Sequence, residues 1–131
     1  MSEYLRSVLS ALPDLVCVFD ADGVSVDVFG DVRLLPAPPD QVVGRPLGAW
    51  MPAAVADLVR ATIASVAARG GHESLVFEYV VGGATRVCAA RCARLPDVGG
   101  GGARVVMVTR DITPQARLQN ELAASERRFR A

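Results

Sequence analysis

The sequence predicts an α+β domain built on five antiparallel strands. Three features carry this: five β-prone runs bounded by Gly and Pro, one long helix of clear 3.6-residue period between the second and third runs, and a helical segment at each end. Residues 2–12 read as the first helix, with Ser2 and Glu3 at its start, an apolar stripe of Leu5, Val8, Leu9 and Leu12, and Pro13 ending it. LVCVFD (15–20) and VSVDVFG (24–30), joined through Asp22-Gly23, read as an antiparallel hairpin. Residues 31–52 hold Pro36, Pro38, Pro39, Pro46 and Pro52, and are expected as loop and short helical turns. Pro52 opens the long helix, in which Val55, Leu58, Val59, Thr62, Ile63 and Val66 repeat at helical spacing before Gly70-Gly71.

Three strands follow at 73–81, 85–95 and 103–112, the first two turning at Gly82-Gly83. The run of glycines at 99–102, with no side chains to pack, is expected as a mobile tether. Thr113-Pro114 predicts a helix start, the hydroxyl serving as N-cap and proline as first helical residue. In helix 114–130, Leu118, Leu122, Ser125 and Phe129 form a short heptad seam. The expected division is an N-terminal helix 1–12, a domain 13–113, and a helix 114–131 leading to a further domain.

Composition excludes several chemistries. The chain has 131 residues, 51% hydrophobic, too apolar for a disordered tail. It contains no lysine, so neither a P-loop lysine nor a Schiff base is available. Its 14 basic and 14 acidic residues balance, which argues against nucleic acid or an anionic membrane as main partner. No run approaches the ~20 apolar residues of a membrane span, and the expected location is the cytoplasm. Cys17, Cys88 and Cys92 lack metal-knuckle spacing and are expected as small strand hydrophobes, so no metal is expected. No nucleophile–base pair can be placed, which makes an enzyme the weakest reading.

Five segments in order, LPDLVCVFDADG (12–23), VVGRPLGAWMP (42–52), LVFEYVV (75–81), AARCARLPD (89–97) and VTRDIT (108–113), resemble the PAS domain, the small sensor module of bacterial signalling proteins. The resemblance spans residues 12–113, and ELAASERRFRA (121–131) is similar to a linker into another such domain. Phe29-Gly30-Asp31 stands where the family often carries Asn, and the Pro-rich stretch 34–39 is also a departure.

The resemblance implies a ligand face between the sheet and the middle helices. Phe19, Val28, Leu47, Trp50, Met51, Leu58, Ile63, Phe77, Val106 and Val108 would line it, with Arg45 and Trp50 as wall residues and the three cysteines as additions. A filled core of the same residues is the alternative. Neither haem nor flavin is expected: the middle turns contain no Cys, and His72, the only histidine, falls in an expected exposed loop. Alternation turns Glu78 outward, on the face of Arg91, as a surface pair. Asp111, Ile112 and Thr113 match the family's strand-to-helix junction and are expected to transmit the signal.

Two functions follow as expectations. The first is a sensory and dimerisation module that relays a ligand- or partner-induced change through the last helix to an output domain (histidine kinase, cyclic-di-GMP enzyme or phosphatase). The second is a ligand-free dimerisation scaffold with a filled core. A homodimer is expected through Leu5, Val8, Leu9 and Leu12 of the first helix and Leu118, Leu122 and Phe129 of the last.

Overall fold

A computed structural model describes residues 3–96 and 102–130, so most of the glycine run lies outside the described residues. Helix α1 (Glu3–Ser10) precedes strands β1 (Leu15–Asp20) and β2 (Ser25–Gly30). Three short 3-10 turns, Val32–Leu34, Pro39–Gln41 and Leu47–Ala49, occupy the Pro-rich segment. Helix α2 (Ala53–Arg69), strands β3 (His72–Val81), β4 (Ala84–Arg94) and β5 (Arg104–Asp111), and helix α3 (Thr113–Arg130) complete the chain. The strands form one antiparallel sheet in the order β2-β1-β5-β4-β3.

Local chemistry fixes the turns. In the β1–β2 turn the Asp20 carboxylate accepts from the backbone N–H of Asp22 (2.9 Å) and Val24 (3.0 Å), while Gly23 takes φ 83°. Between β3 and β4, Gly82 (φ 59°) and Gly83 (φ 80°) give the two left-handed residues a tight hairpin requires. His72 is the first residue of β3, exposed and opposite Ala93, rather than part of a loop.

The core lies on one face of the sheet. Leu15, Cys17 and Phe19 of β1, Phe77 and Tyr79 of β3, Cys88, Ala90 and Cys92 of β4, and Val105 and Met107 of β5 pack there against α2 and the 3-10 turns. Helix α2 buries Val55, Ala56, Val59, Ile63, Val66 and Ala67. Leu58 does not join them. At about 100° per residue it falls roughly 120° from the centre of that stripe, and it is 44% exposed.

The opposite, outer face is covered on one side only. Phe29 and its cross-strand partner Val16 point outward yet are buried. Helix α1 lies over them, its Arg6 guanidinium 5.2 Å from the centre of the Phe29 ring and 3.5 Å from the Asp27 carboxylate. Among the described residues the rest of the outer face is open, forming a groove of about 590 Å³ over Val76, Ala89, Ala93, Val106 and Val108. Among the described residues, no helix is long and apolar enough to cross a membrane.

Candidate functional site

On the inner face, Phe19, Leu47, Trp50, Met51, Ile63 and Phe77 belong to the core cluster, and Val28 packs against its edge. Four residues expected beside them lie elsewhere. Val106 and Val108 face outward, because β5 places Val105 and Met107 inward and alternation sends their neighbours to the other side. Leu58 faces solvent, as does Arg45, whose backbone carbonyl rather than side chain engages the sheet by accepting from Ser25 N–H at 3.1 Å. Tyr79, which the sequence reading left out of the site, donates its hydroxyl proton to the Leu34 carbonyl and so ties β3 to the first 3-10 turn.

The inner face is apolar, and among the described residues three buried polar atoms have no hydrogen-bond partner: Ser25 Oγ, Trp50 Nε1 and Thr109 Oγ1. Its thiols are held protonated. Burial, with a small contribution from Cys92, pushes Cys17 up to about 12; burial and nearby Glu73 push Cys92 up to about 11; burial also raises Cys88. Burial likewise raises the Tyr79 phenol, with Cys88 beside it adding to the effect. Among the described residues no cluster of His, Cys, Asp or Glu is placed to hold a metal ion.

The junction between β5 and α3 is a polar clasp built by three elements. Asp111 closes β5 opposite Cys88 of β4. Its carboxylate accepts from the Thr113 N–H (2.9 Å), from the Thr113 hydroxyl, and from Arg86 Nη1 on β4 (3.2 Å). The Thr113 oxygen in turn accepts from the Val87 N–H of β4 at 2.9 Å, and the Ile112 N–H donates to the Val87 carbonyl at 2.8 Å. Residue 87 thus holds the first residues of the helix at two points, extending the β4–β5 ladder past its last pair.

The expected capping role changes hands here. Ala116 N–H donates to the Ile112 carbonyl (2.9 Å), so the helix begins one residue earlier than anticipated. Thr113 is buried inside the first turn with its hydroxyl turned toward the sheet, and Asp111 supplies the carboxylate at the helix N-terminus. Burial pushes the Asp111 carboxyl up, but the two Thr113 hydrogen bonds and the Arg86 guanidinium outweigh it and hold it below its usual 3.8. Arg86, Asp31 and Arg33, which share the surrounding polar cleft of about 310 Å³, were not singled out from sequence, and neither was Val87. Only the fold brings 86 and 87 beside 111–113.

Of the residues expected at a dimer contact, Leu5, Val8, Leu12, Leu118, Leu122 and Phe129 are exposed in the single chain, and Leu9 is half-buried. Glu78 and Arg91 share the outer face, but Glu78 sits opposite Val87 and Arg91 opposite Ser74, four positions apart along β4.

The five-stranded sheet in this order, a long helix and 3-10 turns on one face, and a polar strand-to-helix clasp define a PAS-type domain. The chain matches the PAS fold family over residues 9–117 and belongs to it. It is similar in structure to the PAS domain of Bordetella pertussis BvgS (20% identity, 95% of this chain and 96% of that one, TM-score 0.66). It is also similar to the PAS domain of an HTR-like protein from Haloarcula marismortui (22%, 83% and 95%, TM-score 0.65). A third likeness is to the PAS domain of the Cronobacter turicensis quorum-sensing receptor RpfR in complex with C12:0 (14%, 76% and 94%, TM-score 0.62). No curated protein matches the chain.

Proposed function

We propose that residues 13–113 form the sensory and dimerisation domain of a multidomain signalling protein, relaying a change in the sheet through α3 to a domain that follows it. The observation that carries this reading is the clasp: the Thr113 hydroxyl bridges the Val87 amide of β4 and the Asp111 carboxylate. A shift of β4 relative to β5 therefore changes the direction in which α3 leaves, and an 18-residue helix turns a small rotation at its base into a large displacement at its far end. The protein acts as a homodimer, pairing Leu5, Val8 and Leu12 of α1 and the Leu118–Leu122–Phe129 seam of α3 with those of a second copy. Their exposure supports this, since an eight-residue helix with no buried residue is marginal alone. The domain works in the cytoplasm.

Two kinds of stimulus fit this frame. A small molecule on the inner face is supported by the unpartnered Ser25 Oγ, Trp50 Nε1 and Thr109 Oγ1, which it would satisfy, and by RpfR's PAS domain binding C12:0. A partner acting on a filled core is supported by the complete burial of Phe19, Leu47, Ile63 and the three cysteines. Native mass spectrometry of the purified chain separates them: a co-purified mass favours the first, bare protein the second. The relay is tested by replacing Asp111 and Thr113 together with Ala in the longest natural chain. The core should melt as a folded domain while the output loses its response to stimulus; unchanged regulation sinks the relay.

A further inference from the structure

We propose that the corner where α1 enters and α3 leaves is a direct mechanical link between the two helices, so that a displacement of α1 re-aims α3 with nothing entering the core. The proposal rests on the relay role given to α3 above. It begins at Arg6 of α1, which lies over the Phe29 ring at 5.2 Å and reaches Asp27, so that α1 is fastened to β2. At its end β2 presses on the segment leaving α1. The Asp31 N–H donates to the Asp14 carbonyl at 3.0 Å, and a Cβ on Gly30 would lie 2.0 Å from that same oxygen. Only glycine fits there, at φ 83°, and the contact has no slack. The Asp14 side chain then crosses to β5, accepting from both Nε and Nη2 of Arg110 at 3.3 Å, a two-point grip that fixes direction as well as distance. Arg110 precedes Asp111, whose carboxylate holds the Thr113 N–H.

Pro13, Asp14, Asp31, Arg110, Asp111 and Gln115 of α3 line one cleft of about 370 Å³ at this corner. The two ends of the path differ in how firmly they are held. Helix α1 buries none of its residues and is cheap to displace, whereas α2 is packed along a whole face and is not. A push on α1 is therefore transmitted around the corner rather than absorbed by the core.

The test is a cycle read by amide hydrogen exchange on the 131-residue chain. Arg6→Ala should speed exchange of the Thr113 and Ala116–Leu118 amides by about two- to fivefold and leave α2 amides unchanged. In the Asp14→Asn background the same substitution should add no further change. Equal α3 exchange in Arg6→Ala and the parent overturns the link, and so does an Arg6 effect that survives undiminished without the Asp14 carboxylate. An effect of Arg6→Ala spread evenly over α2 as well would reveal general loosening and also overturn it. The Asp111→Ala/Thr113→Ala chain separates the two readings. If it changes α3 exchange while Arg6→Ala does not, the relay stands and the link falls; if neither changes it, both fall.

Discussion

Replacing Thr113 by Val keeps the side chain's shape and removes one oxygen, which isolates what the clasp contributes. Two hydrogen bonds disappear: the one Val87 N–H donates to Thr113 Oγ1 and the one that hydroxyl donates to Asp111. Thr113 is buried, so the Val87 amide is left without an acceptor where water has poor access, at about 1–3 kcal/mol. The Asp111 carboxylate loses less, because it keeps the Thr113 N–H and Arg86 and is partly open to solvent. The expected destabilisation is about 2 kcal/mol, against a domain stability of ~5–15 kcal/mol. For a chain of this size that lowers Tm by roughly 5–10 °C. Thermal melting followed by circular dichroism measures it. A Tm unchanged within about 1 °C would mean that the hydroxyl is idle and that the Asp111 carboxylate and the backbone hold the helix base without it. Complete unfolding would mean that the clasp belongs to the core and is no separable transmitter.

Two further outcomes follow from the electrostatics. Because the Asp111 carboxyl is held below 3.8 in the folded chain, its contribution is fully present above that value and fades as pH falls through the folded value. The stability difference between the parent and Asp111→Asn should therefore be flat from about pH 5 to 8 and shrink below about pH 4, as thermal melts at several pH values would reveal. The three thiols are buried and protonated, with Cys17 near 12 and Cys92 near 11, so alkylation at neutral pH should proceed only at the rate of opening. A thiol labelled at the rate of a free cysteine in the native chain would contradict the packing of the inner face.

How much of this could be read in the sequence depended on whether a segment declares its own facing. The strands, the long helix and both terminal helices are bounded by Pro, Gly and Asp residues whose effects are local, and the structure places them within a residue or two of expectation. Facing was legible where polar and apolar residues alternate, as at Glu78 between Phe77 and Tyr79. It was not legible in β5, where Val105, Val106, Met107 and Val108 are all apolar and alternation has no phase. The sheet sets that phase: Met107 stands between Cys17 and Cys92 in one inward row, which sends Val106 and Val108 to the open outer face. Leu58 fits helical spacing from either neighbour, and only the position of the sheet decides which side of α2 is centred on the core.

The junction was half legible, and the missing half is the part that ties it to the sheet. Asp111 and Thr113 stand out because a carboxylate and a hydroxyl before a proline are a helix start wherever they occur. Their partners Arg86 and Val87 lie 25 and 26 residues earlier, one a common surface cation and the other a backbone amide without any sequence signature. A cap that served only α3 would need nothing from β4. Thr113 instead spends its hydroxyl on the sheet and leaves the helix N-terminus to Asp111, so the base of α3 moves with β4 or strains two hydrogen bonds. Asp14 repeats the pattern at the other end, its carbonyl against β2 and its carboxylate on Arg110 of β5. In both places a side chain that reads as local punctuation joins segments far apart in sequence, at the ends of the sheet's central strands.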